Sequence, residues 1–185
     1  MKIVTTLRIL MNKEFRPALK KVMEKWPDPK DTYIFVKLAR IVEAEMKSYV
    51  DSLNELKDKL GYTLPDGENK SVTATEITDA LLVKHGKFGQ DGRPSLTGVP
   101  DAERTEFFAQ KTIADKCISA YEDAVEKLLD DNFELEIPRQ IKIAEKHLRK
   151  EVISAQDCFV LEPVLDLSAV MDEEDTKKDS TVEKE

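Results

Sequence analysis

The chain has 185 residues, a net charge of −8, and 36% charged against 41% apolar residues. That length and balance suit one domain with appendages and a modest core of thin, well-solvated, mostly helical elements. The acidic total argues against nucleic-acid binding through a general positive field, and two cysteines are too few for a disulfide scaffold.

The opening MKIVTTLRILMNKEF holds no uninterrupted apolar segment before a small-residue cleavage site, so no secretory signal is expected. No stretch approaches the roughly 18 apolar residues of a membrane span. Ile3, Val4, Leu7, Ile9 and Leu10 suggest a short strand over residues 2–10. Asn12 is placed to cap a helix whose stripe is Phe15, Leu19, Val22, Met23 and Trp26. Pro27 and Pro29 end it.

Asp31 or Thr32 then opens the strongest pattern in the chain. Phe35, Leu38, Val42, Met46, Tyr49, Leu53, Leu56 and Leu60 follow at spacings of 3, 4, 4, 3, 4, 3 and 4, a heptad-like seam. Gly61 stands where a left-handed glycine closes a helix. A helix of about 28 residues is about 42 Å long and needs a partner along its face. Residues 101–129 supply one, with Phe107, Gln110, Ala114, Cys117, Tyr121, Ala124 and Leu128 at matching spacings. An antiparallel long-helix hairpin follows.

Between the two lies a glycine-rich insertion, residues 62–100. Thr73 and Glu76 have capping-box spacing ahead of a short helix carrying Ile77, Ala80 and Leu81. The remainder, HGKFGQDGRPSLTGVP, has loop composition. After residue 132 the period becomes two: Phe133, Leu135 and Ile137 alternate with Glu134 and Glu136, a strand with a solvated acidic face. Ile141 and Ile143 suggest a second extended piece. Ser154, with Asp157 as capping partner, heads a helix whose apolar side is Phe159, Val160, Leu161 and Leu165. The expected fold is therefore mainly α with a minor β element (α+β), one domain over 1–171. Residues 172–185, DEEDTKKDSTVEKE, contain a single apolar residue, Val182, and read as a disordered acidic tail.

The chain offers no catalytic grouping, so no enzyme is expected. His85 and His147 have no second histidine at ligand spacing and no CxxC pair exists, so neither a metal nor a cofactor is expected. Cys117 and Cys158 fall on apolar helix faces and read as core residues. HGKFGQDGRP lacks the residue order of a P-loop. Lys84, Lys87 and Arg93 around Phe88 are instead the candidate contacts for an acidic partner or a phosphate backbone.

Charge is unevenly placed. Residues 1–60 hold 13 basic and 9 acidic side chains, residues 61–171 hold 13 and 21, and residues 172–185 hold 3 and 7. Two electrostatically different ends favour specific protein contacts; the tail reads as a solubilising terminus or, alternatively, as an acidic arm for a basic partner surface.

LRILMNKEFRPALKKVMEKW, the long helix YIFVKLARIVEAEMKSYVDSLNELKDKLG, the strand NFELEIP, and the Ser-x-x-Asp helix running into LEPVLDL form one overall pattern. Over residues 1–61 and 125–167 it resembles a group of small uncharacterised proteins of tailed bacteriophages. The resemblance assigns no site residues. It implies a phage protein of the host cytoplasm or the virion. Joined to the absence of a catalytic grouping, it implies a minor virion structural component or assembly factor. Such a protein would contact other phage proteins and, through its exposed helix seam, further copies of itself. The acidic middle and tail suggest an alternative, a regulatory or counter-defence protein that binds a basic host protein.

Overall fold

The structure, a computed structural model, describes residues 2–149 and 152–168; the tail expected over 172–185 lies outside the described residues. In chain order the elements are β1 (Lys2–Thr6), α1 (Leu7–Leu10), α2 (Phe15–Lys25), α3 (Pro29–Leu60), β2 (Tyr62–Thr63) and β3 (Lys70–Ser71). There follow α4 (Ala74–His85), β4 (Lys87–Phe88), β5 (Pro94–Ser95), α5 (Asp101–Asp130) and β6 (Asn132–Glu136). The series closes with β7 (Ile141–Lys142), α6 (Glu145–Arg149), α7 (Ala155–Val160), a 3-10 turn (Glu162–Val164) and β8 (Leu165–Asp166). The protein is mainly α with a minor β element of two-stranded ladders.

The sequence suggests one domain over 1–171, but the residues partition into two compact units. Residues 1–47 and 129 onward form the first, and residues 48–128 the second. The supposed insertion thus belongs to a unit with its own buried cluster.

In the first unit, β1 and β6 pair antiparallel from Lys2↔Glu136 to Thr6↔Asn132. The alternation read in NFELE holds, with Leu135 buried and Glu134 and Glu136 exposed. β1 stops at Thr6, shorter than the strand expected to Leu10, because residues 7–10 turn into α1 and bury Leu10. The core joins Phe15, Leu19, Val22 and Trp26 to Ile34, Phe35, Leu38 and Val42 of α3, and to Leu135, Ile137, Ile141, Ile143, Ile153 and Leu161. Trp26 meets Phe35 edge-on at 5.4 Å, and its indole N–H donates to Asp31 Oδ2 at 3.2 Å. Arg139 holds the other oxygen of Asp31 at 2.6 Å. β7 and β8 pair in parallel. Ser154 and Asp157 form the expected capping box at α7. Phe159 is not on the buried side as expected: it is 74% exposed, since the face of α7 that packs carries Asp157, Cys158 and Val160.

In the second unit, Leu64, Ile77, Leu81, Phe107 and Ala114 form a small core. β2 and β3 make a hairpin around Asp66-Gly67. Asp66 Oδ1 accepts from the amides of Glu68 and Asn69, and Gly67 adopts φ +79°. The capping box expected from Thr73 is absent. Ser71 displaces it, its hydroxyl accepting from the Thr73 amide at 3.1 Å and donating to Glu76 at 2.5 Å. The supposed loop after His85 contains the hairpin β4–β5, in the register Lys87↔Ser95 and Phe88↔Pro94. Gly61 is not left-handed as expected. A Cβ there would lie 2.5 Å from the Lys57 carbonyl, so close backbone approach accounts for this glycine.

At 32 residues α3 is about 48 Å long. Just beyond it, Tyr62 Oη donates to Gln110 Oε1 of α5 at 3.4 Å. The end of one long helix therefore lies beside the first third of the other, in the sense expected of an antiparallel hairpin. Tyr49, Leu53, Leu56 and Leu60 of α3 and Cys117, Tyr121, Ala124 and Leu128 of α5 are only half-buried.

Candidate functional site

A groove of about 650 Å³ opens in the first unit, between α2 and α3. Helical spacing builds its walls. Arg16, Lys20 and Met23 recur at 4 and 3 residues and share one side of α2; Ala39, Val42 and Met46 recur at 3 and 4 and share one side of α3. Leu10, Met11, Asn12 and Lys13 complete the lining, with Leu19 beneath. Asn12 fixes this corner, because its side-chain oxygen accepts from the Glu14 amide at 2.9 Å just before α2 begins. Ala39 is small and leaves room, whereas Met11, Met23 and Met46 are half-buried and unbranched. Such side chains readjust to different occupants.

The rim is cationic. Arg16 faces Glu43 across the groove at 3.6 Å, but both side chains are more than half exposed, so the pair contributes only about 0–1 kcal/mol. Among the described residues Lys13 and Lys20 have no carboxylate within ion-pair distance. Three cations thus stand against one carboxylate around an apolar floor. This arrangement can hold an apolar segment while attracting carboxylates beside it.

A second polar cluster lies in the other unit. Buried His85 sets Nδ1 3.1 Å from Glu103 Oε2 and Nε2 3.4 Å from Gln110 Oε1. Gln110 is oriented by donating to Glu106 at 2.8 Å. Burial and neighbouring Cys117 push the Tyr62 hydroxyl above its ordinary range. These contacts tie the end of α4 and β2 to α5. Among the described residues no group of three or more His, Cys, Asp or Glu side chains is arranged to hold a metal ion.

Lys84, Lys87, Phe88 and Arg93 lie outside the groove. The last three belong to the β4–β5 hairpin and Lys84 to the final turn of α4; all four are exposed. Lys87 is engaged, its ammonium donating to the Gly98 carbonyl at 2.6 Å, while Phe88 is 63% exposed. Reading the sequence missed the groove residues Met11, Lys13, Arg16, Lys20 and Met46. Their signal was present: Lys13, Arg16 and Lys20 are spaced at 3 and 4 beside an apolar helical stripe.

Comparison with protein-family models, curated proteins and solved structures finds no match. Among the described residues no helix is long and apolar enough to cross a membrane.

Proposed function

We propose that this protein acts through protein–protein contacts, and that the α2–α3 groove is the docking site for a partner segment with apolar anchors bordered by carboxylates. One observation carries the reading: an open groove floored by three methionines, whose rim has an excess of positive charge. The Met-rich floor suits a segment laid along two helices. Lys13 and Lys20 favour a partner whose carboxylates flank the anchors over one whose flanks are basic. The resemblance to tailed-phage proteins supports a role as a minor virion component or assembly factor, with other phage proteins as partners.

Fluorescence anisotropy tests the docking chemistry. A labelled peptide with two aliphatic anchors followed by four carboxylates should bind the full chain, and the same peptide with lysines for the carboxylates should bind at least ten-fold more weakly. Met23→Asp should weaken the acidic peptide by a similar factor while leaving the far-UV circular dichroism intact. Equal binding of both peptides, or full binding to the variant, would overturn the assignment.

A further inference from the structure

Buried His85 makes a demand that only one protonation state meets. Its side chain is 5% exposed, so neighbours rather than water must serve both ring nitrogens. Nδ1 lies 3.1 Å from Glu103 Oε2, and an ionised carboxylate only accepts. Nε2 lies 3.4 Å from the side-chain amide of Gln110, whose orientation its other neighbours fix. The Gln110 nitrogen donates to Glu106 Oε1 at 2.8 Å, which leaves the Gln110 oxygen facing His85. Tyr62 Oη donates to that same oxygen at 3.4 Å. Both ring nitrogens therefore face oxygens that only accept, and both need a proton. We propose that His85 is a proton-operated latch: its imidazolium ties the end of α4 and β2 to α5, and loss of one proton turns the Gln110 amide and releases the tie.

The neutral ring carries one proton. The bond to the Glu103 carboxylate is charge-assisted and keeps that proton on Nδ1. Nε2 then presents a lone pair to the Gln110 oxygen, and acceptor faces acceptor in a buried site. Turning the Gln110 amide over places its nitrogen against Nε2 and restores that contact. The turn gives up the bond to Glu106, whose exposed side chain is free to meet water, and takes the acceptor away from Tyr62. Tyr62 keeps its proton throughout, because burial and nearby Cys117 push its hydroxyl up. Among the described residues the titratable groups facing this network are Glu103, Glu106 and Cys117 of α5 and Tyr62 of β2. Pro94 and Ser95 of β5, which also packs on α4, do not titrate, and Lys84, beside His85 on α4 itself, is exposed. Imidazole is the side chain whose charge changes between about pH 5 and 8, so the latch works in that range. It holds the base of the β4–β5 hairpin. Gly86, directly after His85, donates to the Leu82 carbonyl at 2.8 Å, and Lys87 opens β4. Exposed Phe88 and Arg93 are carried by that hairpin.

Nuclear magnetic resonance on the ¹⁵N-labelled full chain tests the latch between about pH 5 and 8. The Gln110 side-chain amide signals should move with the same midpoint as the His85 ring signals. Protection of the Gly86 amide against hydrogen exchange, corrected for the intrinsic rate, should fall about five-fold as pH rises over that range, the worth of one net hydrogen bond. Glu103→Gln supplies the control. The Glu103 side chain is more than half exposed, so the change leaves the fold intact, and the new amide donates to an unprotonated Nδ1. The neutral ring then keeps its one proton on Nε2 for the Gln110 oxygen, and the Gln110 signals should stay in place over the whole range. Gln110 signals that ignore a titrating ring, or that follow pH equally in Glu103→Gln, would overturn the proposal. So would a ring that holds one charge state throughout in the parent protein, or Gly86 protection that does not change.

Discussion

Replacing Asp157 by alanine removes a carboxylate that accepts three hydrogen bonds in the first unit. Its Oδ2 accepts from the Ser154 amide at 3.0 Å, the Ser154 hydroxyl at 2.6 Å and the Lys21 ammonium at 2.6 Å. Burial works against the charge, but the hydrogen bonds from Lys21 and Ser154 outweigh it and hold the carboxyl below its ordinary 3.8. The capping box is worth about 1 kcal/mol. The bond from Lys21 adds about 1.5 kcal/mol, the low end for a charged bond, because Lys21 is nearly half exposed. Asp157→Ala should therefore cost about 2–3 kcal/mol at pH 7, from these two contributions together. A depressed carboxyl stabilises the fold above its unfolded pKa, and that contribution disappears as pH falls through the folded value. The difference between the two proteins should thus hold from pH 7 down to about 4 and shrink below it. Urea unfolding followed by Trp26, the only tryptophan, reads the unit concerned. A difference under about 0.5 kcal/mol at pH 7, well below the sum above, or one that grows on acidification, would refute the reasoning.

Other outcomes follow from single contacts. Gly61→Ala should lower stability by about 1–3 kcal/mol in urea unfolding, because the new Cβ meets the Lys57 carbonyl, a backbone atom that cannot swing away. Leu81→Ala should cost about 2–5 kcal/mol. Hydrogen exchange should then quicken in α4 and the β2–β3 and β4–β5 hairpins while β1 and β6 keep their protection, since Leu81 belongs to the second unit's core. Burial and the nearby Asp157 push the Cys158 thiol up, so an aromatic disulfide reagent at pH 8 should modify half-buried Cys117 first and Cys158 only on unfolding.

The stripes on α2, α3 and α5 were legible because period alone marks which residues face inward. Ser154 with Asp157, and the alternation through Leu135, were legible for the same reason: the signal lies within a few residues. Gly61 and Thr73 show where such rules fail. The chain met a neighbouring carbonyl at Gly61, and Ser71, two residues upstream, took the bonds that Thr73 was expected to make. The β4–β5 hairpin was hidden because its strands are two residues long and too short to alternate. The groove was hidden for a different reason. Met23 and Met46 sit in stripes that read as core, and only tertiary packing decides that their ends of the stripes stay open.

Site-specific photocrosslinking from position 20 in cells that express the protein tests the docking account most directly. A photoreactive residue in place of Lys20 sits on the rim of the groove. The account predicts adducts to a protein segment in which apolar residues border consecutive carboxylates, and loss of those adducts when Met23→Asp is added. Absence of any adduct, or adducts that persist in the Met23→Asp background, would contradict it.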